Sequence, residues 1–189
     1  MEIIKSHSNL VHYYKIFING LPHARNYGLN QAIDEIIIFC DDDVIPTDNF
    51  IKNHIRNYKD KEVGGVGGRI IQNGKQSYPF PSAKYAENEK ISNHNRVVGK
   101  VRQWDAYLID NFDATIRLYI DHVQGCNMSF RKEALSKAGG FDERFGGSAH
   151  LEETDLCMRI IKEGYKIVFD PEAELIHLKD TKGGCRAEN

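Results

Sequence analysis

Paired cysteines, long apolar runs and a surplus of basic charge are all missing from this sequence. Its four cysteines, Cys40, Cys126, Cys157 and Cys185, stand far apart and form no C-x-x-C pair. That spacing argues against a zinc cage or a disulfide framework and makes a reducing cytoplasm the expected compartment. No apolar run approaches the roughly 20 residues of a membrane-spanning helix, and Met1–His7 has no apolar core of signal-peptide length. A formal net charge of -2, from 25 Lys+Arg against 27 Asp+Glu, gives no global pull toward nucleic acid. No basic stripe with interleaved aromatics is present, so a nucleic-acid partner is not expected. Internal repeats and low-complexity segments are absent too. What remains is 189 residues, 41% hydrophobic and 28% charged, which fits one soluble globular domain with a real core.

The stretch Glu35-Ile-Ile-Ile-Phe-Cys-Asp-Asp-Asp43 carries the strongest signal. Its β-branched apolar run reads as a strand buried on both faces, and it leads directly into three carboxylates. Adjacent acids at a buried strand end must be solvated, paired or bound to a cation. Strand ends of open α/β sheets are also where ligands bind. Around this strand the pattern predicts a short strand at Val11–Ile16 and a short helix over Ala24–Ile33. Thr47-Asp48 can cap a helix reaching Tyr58, with Phe50, Ile51, His54, Ile55 and Tyr58 on one face. Val63–Ile71 reads as a glycine-rich strand ending at Asn73-Gly74. Further on, the expectation is a strand over Ile120–Phe130, helices over Arg131–Lys137 and Glu152–Glu163, and short strands at Lys166–Phe169 and Ala173–Ile176. Residues 76–117, with Pro79 and Pro81, form an irregular insert or acceptor-side loop within a single domain spanning 1–189. The polar tail from Lys179 is expected to be loose. Alternating strands and helices favour an α/β sandwich.

Three constellations could carry chemistry. Asp41-Asp42-Asp43 suits a hard cation such as Mg²⁺ or Mn²⁺, which takes oxygen ligands and shares them with phosphates; the alternative is a solvated acidic loop before Pro46. Glu152-Glu153, at the junction of a glycine-containing loop and a helix, suits a general base. Its alternative is helix capping, with Asp155 pairing to Arg159 at i,i+4. His177 follows a strand-like segment and becomes a ligand only if it reaches the aspartates.

The order of these parts is informative. It runs Arg25-Asn-x-Gly28, strand–Asp-Asp-Asp43, Gly125-Cys-Asn-Met-Ser-Phe-Arg131, Gly-Gly-Phe-Asp142, Glu-Glu-Thr-Asp-Leu156, Gly164-Tyr-Lys-Ile167, Pro171 and His177. From about Leu21 to Arg186 this closely resembles glycosyltransferase family 2, the inverting nucleotide-sugar transferases of GT-A fold. The resemblance implies a Rossmann-like, three-layer α/β/α sandwich, here N-terminally truncated. Such enzymes open with a strand and a nucleoside-binding loop that this chain starts too late to contain, roughly the first third of the domain.

The resemblance also implies roles. Asp43 and His177 would hold Mn²⁺ or Mg²⁺, while Asp41, Asp42 and Arg25 would lie on the donor side. Arg186, in Gly183-Gly184-x-Arg186, could meet phosphate. Glu153 is the expected base, with Glu152 one position away as the alternative. Gly125, Asn127, Gly140, Phe141, Asp142 and Asp155 would shape the donor and acceptor pockets. Partners would be a nucleotide-sugar donor and a saccharide or lipid-linked acceptor, in surface polysaccharide or glycolipid synthesis. Peripheral attachment to the inner face of a membrane is compatible with this. Two other readings compete: a non-catalytic remnant serving as a binding module, and a metal-dependent phosphohydrolase, for which no nucleophile or second metal cluster is found.

Overall fold

The protein, seen here as a computed structural model, is described over residues 11–72, 97–102, 105–146 and 149–178. In chain order its elements are α1 (Leu21–Gln31), β1 (Ile36–Cys40), β2 (Val44–Pro46), α2 (Phe50–Arg56) and β3 (Val63–Gln72). Then come β4 (Lys100–Arg102), β5 (Tyr107–Ile109), β6 (Leu118–Ile120), β7 (Asn127–Arg131), α3 (Lys132–Lys137), α4 (Glu152–Lys162) and β8 (Lys166–His177). A six-stranded mixed sheet has the order β1-β7-β3-β8-β2, with β6 also pairing to β8. Among the described strands, only β3 and β8 pair in parallel.

Strand β7 shows why the fold has three layers. All five of its residues are buried. Because successive side chains point to opposite faces, Met128 and Phe130 join Leu135, Leu156 and Ile160 of α3 and α4 in the main core. Asn127, Ser129 and Arg131 face the other way, toward α2 and the turn after it. β8 alternates likewise: Ile167 and Phe169 enter the main core, whereas Val168 packs with Tyr58, Val63 and Val66 and Asp170 accepts from Arg56.

Several expectations change. Val11–Ile16 has no regular structure and exposes Val11, Tyr13 and Tyr14. β1 pairs on one side only among the described residues, and Ile36–Phe39 are half-buried rather than fully covered on both faces. The cap of α2 is Asn49. Thr47 instead joins β8, its N–H and hydroxyl both donating to the Glu174 carbonyl at 3.1 and 3.0 Å. Ile51 and Ile55 face solvent while Phe50, His54 and Tyr58 are buried. A separate loop interrupts the expected strand over Ile120–Phe130, leaving β6 and β7. Within the insert expected to be irregular, β4 and β5 form an antiparallel pair, and Phe112 and Ala114 join the core. The Asn73-Gly74 turn and the tail beyond Leu178 lie outside the described residues.

The two short strands expected around Asp170-Pro171 are one bent strand, β8. Its register against β3 shifts between Gly68 and Ile70, where Pro171 can donate nothing to a ladder. α2 grips this bend. Asp170, fully buried, accepts from Arg56 Nη2 at 2.8 Å, Asn57 Nδ2 at 2.7 Å and the Glu172 N–H at 3.0 Å. Asn53 Nδ2 donates to the Glu172 carbonyl at 2.6 Å. Gly68 lies where the two strands crowd: a Cβ there would collide with the Ala173 carbonyl and come within 2.5 Å of the Asn127 amide. Backbone cannot yield as a side-chain tip can, so Gly68→Ala is expected to cost roughly 3 kcal/mol, at the upper end of overpacking effects. Urea unfolding measures it, and a wild-type midpoint would show that the bend is pliable.

A closed polar chain runs through the same layer. Asn127 Nδ2 donates to the Arg69 and Ala173 carbonyls at 2.9 and 3.0 Å, which turns its Oδ1 toward His54 Nε2 at 2.9 Å. His54 therefore carries its proton on Nε2. Its Nδ1 accepts from the Ser129 hydroxyl at 2.9 Å, and Ser129 Oγ accepts from Tyr58 at 2.8 Å. Burial lowers the His54 pKa from 6.5 to about 4, against the smaller upward pulls of Asn127 and Asp170. Below the unfolded value the unfolded chain holds the extra proton. Stability is therefore full above about pH 6.5 and falls as pH drops toward 4, by about 3 kcal/mol in all. Denaturant unfolding across that window checks this. His54→Gln, which cannot titrate, should flatten the slope there, and an unchanged slope would remove His54 from the explanation.

Candidate active site

Strand pairing builds the acidic centre. β1 ends at Cys40, the chain turns through Asp41–Asp43, and β2 starts at Val44 directly opposite His177. The Leu178 N–H donates to the Asp43 carbonyl at 2.9 Å and locks the two ends together. His177 Nε2 thus lies 3.1 Å from Asp43 Oδ1 and 4.0 Å from Asp41 Oδ2. One ligand atom from each of the three residues falls within 4.8 Å of the others. His177 Nε2 is buried and, among the described residues, has no hydrogen-bond partner. Two carboxylates and an imidazole are a donor set that suits Mn²⁺-like ions, and an orphaned buried nitrogen aimed at two carboxylates fits a cation between them. Burial raises the Asp41 pKa, Arg25 and His177 oppose the rise, and Asp43 and Asp42 add to it. A divalent ion would reverse that balance by favouring the carboxylate. Asp42 is exposed at the turn.

Beside this centre lies a cavity of about 230 Å³ between α1 and the end of β1. Leu21, Ala24 and Gly28 form its α1 wall, facing Phe39, Asp41 and Gly125. Its Arg25 is 8% exposed and ion-pairs with Glu152, itself 1% exposed. The same guanidinium lies 5.3 Å from the centre of the Phe141 ring and reaches the Gly125 carbonyl at 3.4 Å.

Glu153 is half-buried at the start of α4. It shares a neighbour with the acidic centre. The buried Cys126 thiol is pushed up first by burial, then by the charges of Asp41, Glu153 and Asp43. Carboxylates from the β1 end and the α4 start therefore both act on one buried thiol. Buried His122, lowered by burial, also feels Asp110 and Glu153.

Other expected pocket residues sit elsewhere or have structural partners. Asn127 is fully buried and bonded into the His54 chain. Asp155 pairs with Arg159 at 2.7 Å, and Arg159 also donates to the Ala138 and Gly140 carbonyls at the end of α3. Asp142 accepts from Arg144, which holds its pKa down at about 2. Phe141 is buried, its N–H and carbonyl both held by the Asn26 amide at 2.9 and 2.8 Å. Gly140 turns the chain at φ 74° just before it. Arg186 lies outside the described residues. Sequence reasoning missed the grip of α1 on Phe141 and Glu152, and the His54 chain. Polar residues at alternate positions 127, 129 and 131 of a buried strand were a usable signal for the latter.

The family description "Glycosyl transferase family 2" matches residues 1–139. The chain belongs to glycosyl transferase family 2. Its fold is GT-A. It is 24% identical over 176 residues to the pre-mycofactocin glycosyltransferase of Mycobacterium tuberculosis, covering 93% of this chain and 34% of the relative. It is 31% identical over 156 residues to the chondroitin synthase of Escherichia coli, covering 75% of this chain and 22% of that one. The chain thus spans about a third or less of these relatives. Among solved structures, the mannosyltransferase PcManGT of Pyrobaculum calidifontis, in complex with GDP-Man and Mn²⁺, superposes with a TM-score of 0.61 at 18% identity. That match covers 96% of this chain and 44% of the other. GalNAc-T7 with UDP, GalNAc and Mn²⁺ gives 0.66 at 18% identity, covering 97% and 35%. No helix among the described residues is long and apolar enough to cross a membrane.

Proposed function

We propose that this chain carries the metal and acid–base centre of an inverting transferase that moves a sugar from a nucleotide-sugar to an acceptor hydroxyl. The observation that carries the reading is the Asp41–Asp43–His177 cluster at the sheet end of a family 2 chain. Asp43 and His177 would hold Mn²⁺ or Mg²⁺, with Asp41 beside them on the donor side. When bound, the ion supplies positive charge for the diphosphate leaving group. Glu153 accepts the proton of the acceptor hydroxyl as that oxygen bonds to the anomeric carbon. The bond from that carbon to the diphosphate breaks on the opposite face, and the electron pair leaves with the nucleoside diphosphate. The half-buried position of Glu153 and its common neighbour with the aspartates support this role. An acceptor in surface polysaccharide or glycolipid synthesis, with the protein at the inner face of a membrane, fits the reading.

The test incubates the chain with UDP- and GDP-sugars and Mn²⁺, and follows nucleoside diphosphate release with and without saccharide acceptors. Cation-dependent release supports the reading. Mn²⁺ uptake without any release would leave a binding module instead, and release from a simple phosphate ester would favour a phosphohydrolase.

A further inference from the structure

We propose that Arg25 is a positioning residue for the acidic start of α4, acting through Glu152, and that Glu152 itself is not the base. This rests on the reading of Glu153 as the proton acceptor. One turn of α1 holds three separated segments. Arg25 contacts Glu152, donates to the Gly125 carbonyl and lies over Phe141, while Asn26 takes both backbone groups of Phe141. A carboxylate that is 1% exposed must be paired, so Glu152 is committed to α1.

The approach to α4 is strained. Ala149 and Leu151 have φ of 49° and 71°, left-handed values that residues with a Cβ rarely adopt. Such conformations persist only where the surroundings over-determine them. The bonds that do so include the Glu152 N–H to the Ala149 carbonyl at 3.3 Å, the Asp155 N–H to the Leu151 carbonyl at 3.0 Å, and the Arg25–Glu152 pair. A helix turns about 100° per residue. With Glu152 pinned inward to α1, Glu153 is rotated away from it and half-buried, and its charge reaches the buried Cys126 thiol. The ion pair therefore sets the direction of Glu153.

The deciding variant is Arg25→Met/Glu152→Met in the whole chain, which removes both buried charges together and avoids stranding either one. UDP and GDP with Mn²⁺ serve as probes of donor binding. The expected result is a melting temperature near wild type, a nucleotide Kd changed less than about twofold, and kcat lower by about 10–100-fold, the effect of a small misplacement. Arg25→Lys, which keeps the charge, should recover part of kcat. Wild-type kcat in the double variant would overturn the proposal. So would a nucleotide Kd weakened more than tenfold with kcat kept, because Arg25 would then be a donor contact. If the wild type itself turns over no donor, the base reading fails separately. Amide exchange then decides the inference: faster exchange at Glu153 and Asp155 in the double variant upholds it, and unchanged exchange rejects it.

Discussion

Asp43→Ala is expected to weaken Mn²⁺ uptake by at least about 100-fold, and His177→Ala to do nearly as much. Loss of an outer partner of a metal ligand already costs 10–100-fold, and these variants remove ligand atoms themselves. Both residues would contribute to one ion, since their ligand atoms are 3.1 Å apart across the β2–β8 ladder. Ligand bonds to such ions are about 2 Å long, so a single cation can reach both. His177→Ala leaves two carboxylates facing each other with no imidazole between, and Asp43→Ala leaves one carboxylate and an orphan nitrogen. Asp42→Ala is the control: Asp42 is exposed and stands outside the cluster, so uptake should stay near wild type. Calorimetric titration with Mn²⁺ in the presence of UDP or GDP reads all three. Equal uptake by wild type and Asp43→Ala would remove the metal role from this residue.

Glu153→Gln and Glu152→Gln should fail in opposite ways. Glutamine at 153 keeps the size and hydrogen bonding of glutamate but cannot take a proton from the acceptor. Turnover should fall by about 10²–10⁴-fold, the usual weight of general-base catalysis. Melting temperature and nucleotide affinity should barely move, because glutamine keeps the size of a side chain that is only half-buried at a helix start. Glutamine at 152 instead removes the carboxylate that ion-pairs with the Arg25 guanidinium, itself 8% exposed. Breaking a buried pair from one side costs about 3–5 kcal/mol, so that variant should lose stability first. Turnover and thermal unfolding of the two proteins, measured side by side, separate the roles. Lost turnover with intact stability in Glu152→Gln alone would move the base by one position. Unaffected turnover in both would return the acidic pair to helix capping.

The sequence by itself determined what depends on local pattern and motif order. The run Ile36–Phe39 becomes β1, Glu152–Lys162 becomes α4 and is closed by Gly164 at φ 90°, and the ordered motifs identify the family. These features are set by propensity, periodicity and chemistry along the chain, which are visible without a third dimension. Only the tertiary structure decided which distant groups meet. Val44–Pro46 is too short to read as a strand, yet its pairing with β8 brings Asp43 to His177. The bend at Asp170-Pro171, held by α2, keeps the two halves of β8 in one strand and carries His177 to that register. Ile51 and Ile55 fit an apolar helical face in sequence but meet solvent, because the buried polar chain of His54 and Tyr58 fixes which side of α2 faces the sheet. Arg25 looks like a donor contact in its motif, and its place against Glu152 follows from how α1 packs on the start of α4. Register, helix rotation and ion-pair partners depend on contacts between residues far apart in the chain, and no local pattern encodes them.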